Sequence, residues 1–192
     1  MKHSGEKIDR RVLYTKMILK ESLVELMKEK PIGKITPTEL CRHANMNRNT
    51  FYSHYDSPED LLRSIEDELY EQIKHSIVNS LSKGDIFLLL SEICQAIHNN
   101  GDLCSVLLSE YGDKDFFRHL IDLAHDRTIE EWRAAGILLE KEKVEFLYCF
   151  SISGSVATIQ KWIQDGMKQR PEDIARFIEK ATQHGVRGFV GR

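Results

Sequence analysis

The sequence predicts an all-α protein of about nine helices, and three observations carry that prediction. Apolar residues recur three and four positions apart through segment after segment. All four prolines, Pro31, Pro37, Pro58 and Pro171, fall at the edges of those segments, where a missing N–H costs least. No stretch shows the sustained alternation of a half-buried strand. The 192 residues are 41% hydrophobic and 30% charged, ordinary for a folded protein, and suit one domain or a small one followed by a medium one.

Residues 1–9 are polar and are expected to form a flexible N-terminal arm. A first helix is predicted from Arg10 to Lys30, with Ile18, Ser22, Leu23, Leu26 and Met27 inward and Pro31 and Gly33 ending it. Two short helices joined by a tight turn follow over 35–55. Thr36 caps the first of them, Pro37 takes its first helical position and Glu39 its third, which makes a capping box. Leu40 and Ala44, with Ile35 just outside, form the apolar side. Asn45-Met46-Asn47 makes the turn, because Asn tolerates the left-handed conformation. Asn47 then caps a second short helix starting at Arg48, with Phe51 and Tyr55 as buried anchors. Ser57-Pro58-Glu59-Asp60 opens a long helix that runs to Leu81 past Leu61, Leu62, Ile65, Leu69, Ile73 and Ile77. At ~1.5 Å per residue it can join two parts of the chain without a flexible linker.

After a break at 82–85, Ile86 to Ile97 is an apolar helix closed by Asn99-Asn100-Gly101, and 102–108 is a short one. Beyond Tyr111-Gly112-Asp113 a helix runs from Asp115 to Ala135, with Phe116, Leu120, Leu123, Ile129 and Trp132 inward and Gly136 as its stop. The segment from Glu140 to Asp165 is long and apolar on more than one face, and Gly166 ends it. Pro171 starts the last helix, with Ile174, Phe177, Ile178 and Ala181 on one side and Gly185 as its C-terminal cap.

Several function classes drop out. No apolar run reaches the roughly 18 residues of a membrane span, and the polar start has no signal core, so a cytoplasmic protein is expected. Cys41, Cys94, Cys104 and Cys149 are widely spaced, with no C-x-x-C, and are expected to be reduced and mostly buried; a thiol-reactive sensor is the alternative. There is no G-x-S-x-G, no Gly-rich phosphate loop and no H-E-x-x-H, and His119 and His125 fall on different faces of one helix. No catalytic residues, metal or cofactor are expected, and a helical-bundle enzyme or metal-binding protein is kept only as a remote alternative.

The charge is uneven. Residues 1–55 hold eleven Lys/Arg against six Asp/Glu, a net +5, which leaves a net −8 on the rest of a chain whose total is −3. A basic head on an acidic body suits a protein that touches a polyanion with one end. The second short helix lies in that head and offers Arg48, Asn49, Thr50, Tyr52, Ser53 and His54 on its outer side. Arg and Asn read guanine and adenine edges bidentately, so this helix fits a DNA major groove. A helix so short reads few base pairs. Useful specificity then needs two copies, hence a homodimer on a palindromic operator.

Three pieces of the chain carry a family resemblance over residues 10–70. They are Thr15-x-x-Ile18 with Leu23 and Leu26, the stretch from Thr36 through Leu40-Cys41, Ala44-Asn45-Met46-Asn47 and Thr50-Phe51-Tyr52-Ser53-His54-Tyr55, and Asp60-Leu61-Leu62. Together they resemble the DNA-binding domain of the TetR/AcrR transcription regulators. Phe150-Ser151-Ile152-Ser153-Gly154-Ser155, Lys161-Trp162-Ile163 and Pro171-Glu172-Asp173-Ile174-Ala175 resemble the C-terminal half of regulators of dihydroxyacetone kinase operons.

The resemblance implies a helix-turn-helix domain at 10–56 and a helical regulatory and dimerisation domain at 57–192. It implies DNA contacts from Thr36, Thr38, Asn47, Arg48, Asn49, Thr50, Tyr52 and His54, with Thr38, Tyr52 and His54 on phosphates and residues 48–50 on bases. Two departures stand out. Pro58 occupies a position where the family often has a phosphate-binding Lys, and Asn45-Met46-Asn47 replaces the usual Gly-Val-Ser. The family dimerises through its last two helices. The candidates here are Ser151, Gly154, Ser155, Ile159, Trp162, Ile174, Phe177 and Ile178, and the small residues among them suit close helix packing. The family also encloses a small-molecule effector among its middle helices, for which Cys94, His98, Tyr111, Phe116, His119, Trp132 and Tyr148 are the candidates. The expected function is a ligand-released repressor, with a same-fold coactivator or adaptor acting through a protein partner as the alternative.

Overall fold

The computed structural model describes residues 10–81, 85–109, 114–137 and 139–187. Nine α-helices and one 3-10 turn, with no strand, are present among the described residues: α1 (Arg10–Met27), the turn Ile32–Lys34, α2 (Pro37–His43), α3 (Arg48–Tyr52), α4 (Pro58–Leu81), α5 (Ile86–Asn99), α6 (Gly101–Leu107), α7 (Lys114–Ala134), α8 (Lys141–Gln164) and α9 (Pro171–Arg187). The all-α expectation holds. The expected arm at 1–9, the break at 82–84 and Tyr111 lie outside the described residues.

The chain divides into two compact units within α4, between Asp67 and Glu68. In the N-terminal unit, α1 turns Leu19, Leu23, Val24, Leu26 and Met27 inward, and α2 packs on α1 with Leu40 and Cys41 buried. Ile35 and Ala44 beside α2, Phe51 from α3, Tyr55, and Leu61, Leu62 and Ile65 from the start of α4 are buried with them. Each such aliphatic or aromatic side chain contributes about 1.5–3 kcal/mol on burial. The first helix stops at Met27, three residues short of expectation. Pro31 disfavours α geometry at Lys30 before it, and the chain passes into the short 3-10 turn.

In the C-terminal unit α9 is the central packing element. It lies against α5 and α8, with Ala175 and Ile178 buried. Trp132, Ile137, Leu147 and Tyr148 form a second core where α7 meets α8. Phe116 and Ile129 are buried as expected.

Three helices end in the same backbone motif. Met46 N–H donates to Cys41 C=O (2.8 Å), Ile137 N–H to Trp132 C=O (3.0 Å) and Met167 N–H to Trp162 C=O (2.9 Å). Each closes over a left-handed residue: Gly136 (φ 88°), Gly166 (φ 79°) and, in the N-terminal unit, Asn45 (φ 50°). Two other glycines act against expectation. Gly101 opens α6, because Asn100 alone serves as the end of α5 and the start of α6. α9 runs through Gly185 to Arg187, since that glycine has no positive φ and nothing there turns the chain.

Candidate nucleic-acid interface

The helix pair α2–α3 is assembled from local hydrogen bonds that the sequence spells out. Thr36 Oγ1 accepts from Glu39 N–H at 3.2 Å, and Asn47 Oδ1 accepts from Asn49 N–H at 2.8 Å. The Glu39 carboxylate accepts from Lys30 Nζ at 2.6 Å, which ties α2 to the segment that follows α1. That bond, then the Lys30 and Arg42 charges and the Thr36 N–H, hold the Glu39 carboxyl below its ordinary range. On the far side Ser57 Oγ accepts from Asp60 N–H, and Asp60 Oδ2 accepts in return from Asp56 N–H, both at 3.1 Å. Both turn and caps form as their residue types require.

α3 has five residues, and Phe51 alone among them is buried. Phe51 meets Tyr52 edge-on at 5.4 Å between ring centroids and Tyr55 at 6.2 Å. The other side chains are left outward. Thr36, Thr38, Asn47, Arg48, Asn49 and Tyr52 are exposed, and Thr50 and His54 are half-buried. All eight residues expected to contact DNA therefore lie in the N-terminal unit on or beside the α2–α3 turn pair. Arg48 also lowers the pull of burial on the Cys41 thiol, whose ionisation is pushed up by its apolar surroundings. Pro58 is buried, and the first turn of α4 carries Glu59 and Asp60.

The residues expected in the C-terminal unit are more scattered. Trp132 and Tyr148 do meet, edge-on at 6.3 Å. His125, which no spacing in the chain groups with them, stands with its ring centroid 4.7 Å from that of Tyr148. The Tyr148 hydroxyl donates to Ile121 C=O at 2.8 Å, and burial, helped by the nearby carboxylates, pushes its ionisation up to about 12. Cys94 is fully buried on α5, and burial followed by the Glu172 charge pushes its thiol up to about 12. His98 and His119 are exposed, which sets them apart from the aromatic core.

Between α8 and α9 runs a cleft of about 180 Å³, lined by Phe150, Ser151, Gly154, Ser155, Thr158, Phe177, Ile178, Ala181, Thr182 and Gly185. Three of its four hydroxyls bond back into their own helices: Ser155 to Ser151 C=O, Thr158 to Gly154 C=O and Thr182 to Ile178 C=O, each at 2.8 Å. What they show to the cleft is mainly carbon. Phe150 and Phe177 are 75% and 60% exposed. Phe150 is one of the apolar residues that the sequence spreads over more than one face of α8. Two residues expected at the dimer interface lie deep in the C-terminal unit. Trp162 is 2% exposed, stacks on His98 at 6.0 Å and donates to Gln169 C=O at 3.0 Å. Ile178, also 2% exposed, is held by packing inside the same unit.

No helix among the described residues is long and apolar enough to cross a membrane, and no cluster of metal-ligating side chains is found among them.

Known proteins share this architecture. A family model described as the transcriptional regulator C-terminal region, TetR_C_8, matches residues 85–184. An HTH-type transcriptional regulator of Bacillus subtilis (strain 168), YxbF, is 35% identical over 77 residues, 39% of this chain and 20% of that protein's length. A TetR transcriptional regulator from Streptococcus agalactiae 2603V superimposes with a TM-score of 0.61 at 25% identity, over 91% of this chain and 96% of that one. The dihydroxyacetone kinase operon activator DhaS shares the fold with a TM-score of 0.67 at 16% identity, over 93% and 99% of the two chains. With a family model covering half the chain and a helix-turn-helix pair built and exposed as described, this chain belongs to the TetR family of DNA-binding transcriptional regulators.

Proposed function

We propose that the chain is a homodimeric repressor that binds a palindromic operator through two copies of α3 and is released by a small-molecule effector. The observation that carries the reading is the outer face of α3. Arg48, Asn49 and Tyr52 are exposed and take no part in the core, while Phe51 alone anchors the helix. Arg48 and Asn49 supply bidentate donors and acceptors for base edges, and Thr38, Tyr52 and His54 bond phosphates around them. Thr36 and Asn47 present the helix ends from which this contact starts. Residues 10–56 act as the reader and 57–192 as the regulatory part.

Pairing of two copies is supported by the α8–α9 cleft, with Phe150 and Phe177 exposed beside small residues that let helices approach. Ser151, Gly154, Ser155, Ile159, Ile174 and Phe177 remain the residues proposed at that interface. For the effector, Trp132 and Tyr148 offer apolar walls, and His125 adds a titratable group beside Tyr148. The protein acts by binding rather than catalysis, in the cytoplasm.

The test is a mobility shift with a duplex enriched from a random-sequence pool. Arg48→Ala and Tyr52→Ala abolish the shift and leave the dimer intact by sedimentation; unchanged affinity in both variants refutes the reading. A log K that stays flat against log [salt] points instead to the adaptor.

A further inference from the structure

Lysines of the N-terminal unit differ in what they meet. Lys28 and Lys30 are neutralised by Glu25 at 2.8 Å and Glu39 at 2.6 Å. Lys16 makes no ion pair among the described residues. It stands over the Tyr55 ring instead, with Nζ 6.0 Å from the centroid. Tyr55 is buried and immobilised against Phe51, and its ring lies 6.4 Å from that of His54. The ammonium of α1 thus stands over the ring that follows α3, and that same ring neighbours His54.

The charge at that end makes the placement matter. α4 begins there with a buried Pro58, followed by Glu59 and Asp60, and Arg63 is drawn to Asp60 at 3.3 Å. This flank offers a phosphate two carboxylates and no free cation of its own. A Lys attracted to an aromatic face keeps its full charge, and at an exposed site it can exchange that contact for a phosphate.

We propose that Lys16 is a phosphate-positioning residue, held by Tyr55 beside the reader so that it engages the DNA backbone where the start of α4 would repel it. The proposal rests on the DNA-reading role of α3 given above. Lys16 carries no sequence information; it fixes the register of α3 and adds one released counterion to the binding reaction.

The test uses the full chain, the duplex enriched from a random pool, and fluorescence anisotropy across a salt series. Lys16→Gln makes the slope of log K against log [salt] shallower by about 1 and weakens binding roughly 3- to 10-fold. Lys16→Arg keeps both near wild type. Lys28→Gln, the same charge change on the same helix at a lysine already paired, leaves the slope unaltered. If Lys16→Gln behaves as Lys28→Gln does, the proposal is wrong while DNA binding by α3 stands. If the wild-type chain enriches no duplex, the reader assignment fails first and the role of Lys16 goes with it.

Discussion

The His125 imidazole of α7 meets the Glu145 carboxylate of α8 at 2.8 Å, and its other nitrogen meets Asp126 at the same distance. Only the doubly protonated ring donates to both. The bond to Glu145, then that to Asp126, raise the ionisation of His125 above its ordinary 6.5. Glu145 matters more for folding, because the Asp126 side chain is 96% exposed and screened by water. A group whose folded-state pKa is raised stabilises fully below its unfolded pKa and loses that contribution as pH rises through the folded value. His125→Gln is therefore expected to lower the melting temperature at about pH 6 and to match wild type by about pH 9. An equal deficit at both pH values contradicts the pairing.

Asn45 stops α2 in the same left-handed geometry that Gly136 and Gly166 provide elsewhere. An L-residue with a bare Cβ is strained there. Asn45→Ala should cost about 1 kcal/mol in chemical denaturation, whereas Asn45→Gly should be neutral or slightly stabilising. Greater destabilisation by Gly than by Ala would mean that the Asn side chain, not its backbone, holds the turn.

The four cysteines separate by exposure. Cys41, Cys94 and Cys104 are buried and Cys149 is exposed on α8. A maleimide reagent should modify one thiol per chain in the native state and the rest only in denaturant, with peptide mapping placing the first label on Cys149. Labelling of Cys94 at a comparable rate would be inconsistent with a buried thiol pushed up to about 12.

The exposed rings at the α8–α9 cleft give a further test. Phe150→Glu or Phe177→Glu puts a charge into the surface proposed to pair two chains. Desolvating an unpaired carboxylate costs several kcal/mol, so sedimentation should show a shift from dimer to monomer. Circular dichroism should be unchanged, because both rings project away from the protomer's own core. A dimer that persists in both variants places the interface elsewhere.

Much of this was legible because it was local. Thr36, Asn47 and Ser57 accept the hydrogen bonds that their spacing to Glu39, Asn49 and Asp60 implied. Periodicity found Leu40 of α2 and the buried residues of α4 from Leu61 to Ile77; in α1 it missed Leu19 and Val24 and turned Ile18, which is half-buried, inward. What periodicity could not supply was partnership. An apolar residue on α8 or α9 faces inward or outward with the same spacing, and so nothing in the spacing says that Trp162 is buried while Phe150 is exposed. Long-range pairs such as His125–Glu145 and Lys16–Tyr55 join residues 20 or more positions apart, and no sequence spacing announces them.

α3 rests on Phe51 alone, and the rest of the helix owes little to the packing beneath it. Exposed substitutions usually change stability by less than about 0.5 kcal/mol. Arg48, Asn49 and Tyr52 can therefore be exchanged almost freely as far as folding is concerned. A scaffold of this kind can drift from one operator to another, or be re-targeted by design, through a handful of surface changes, while the hydrophobic interior that presents the helix remains untouched.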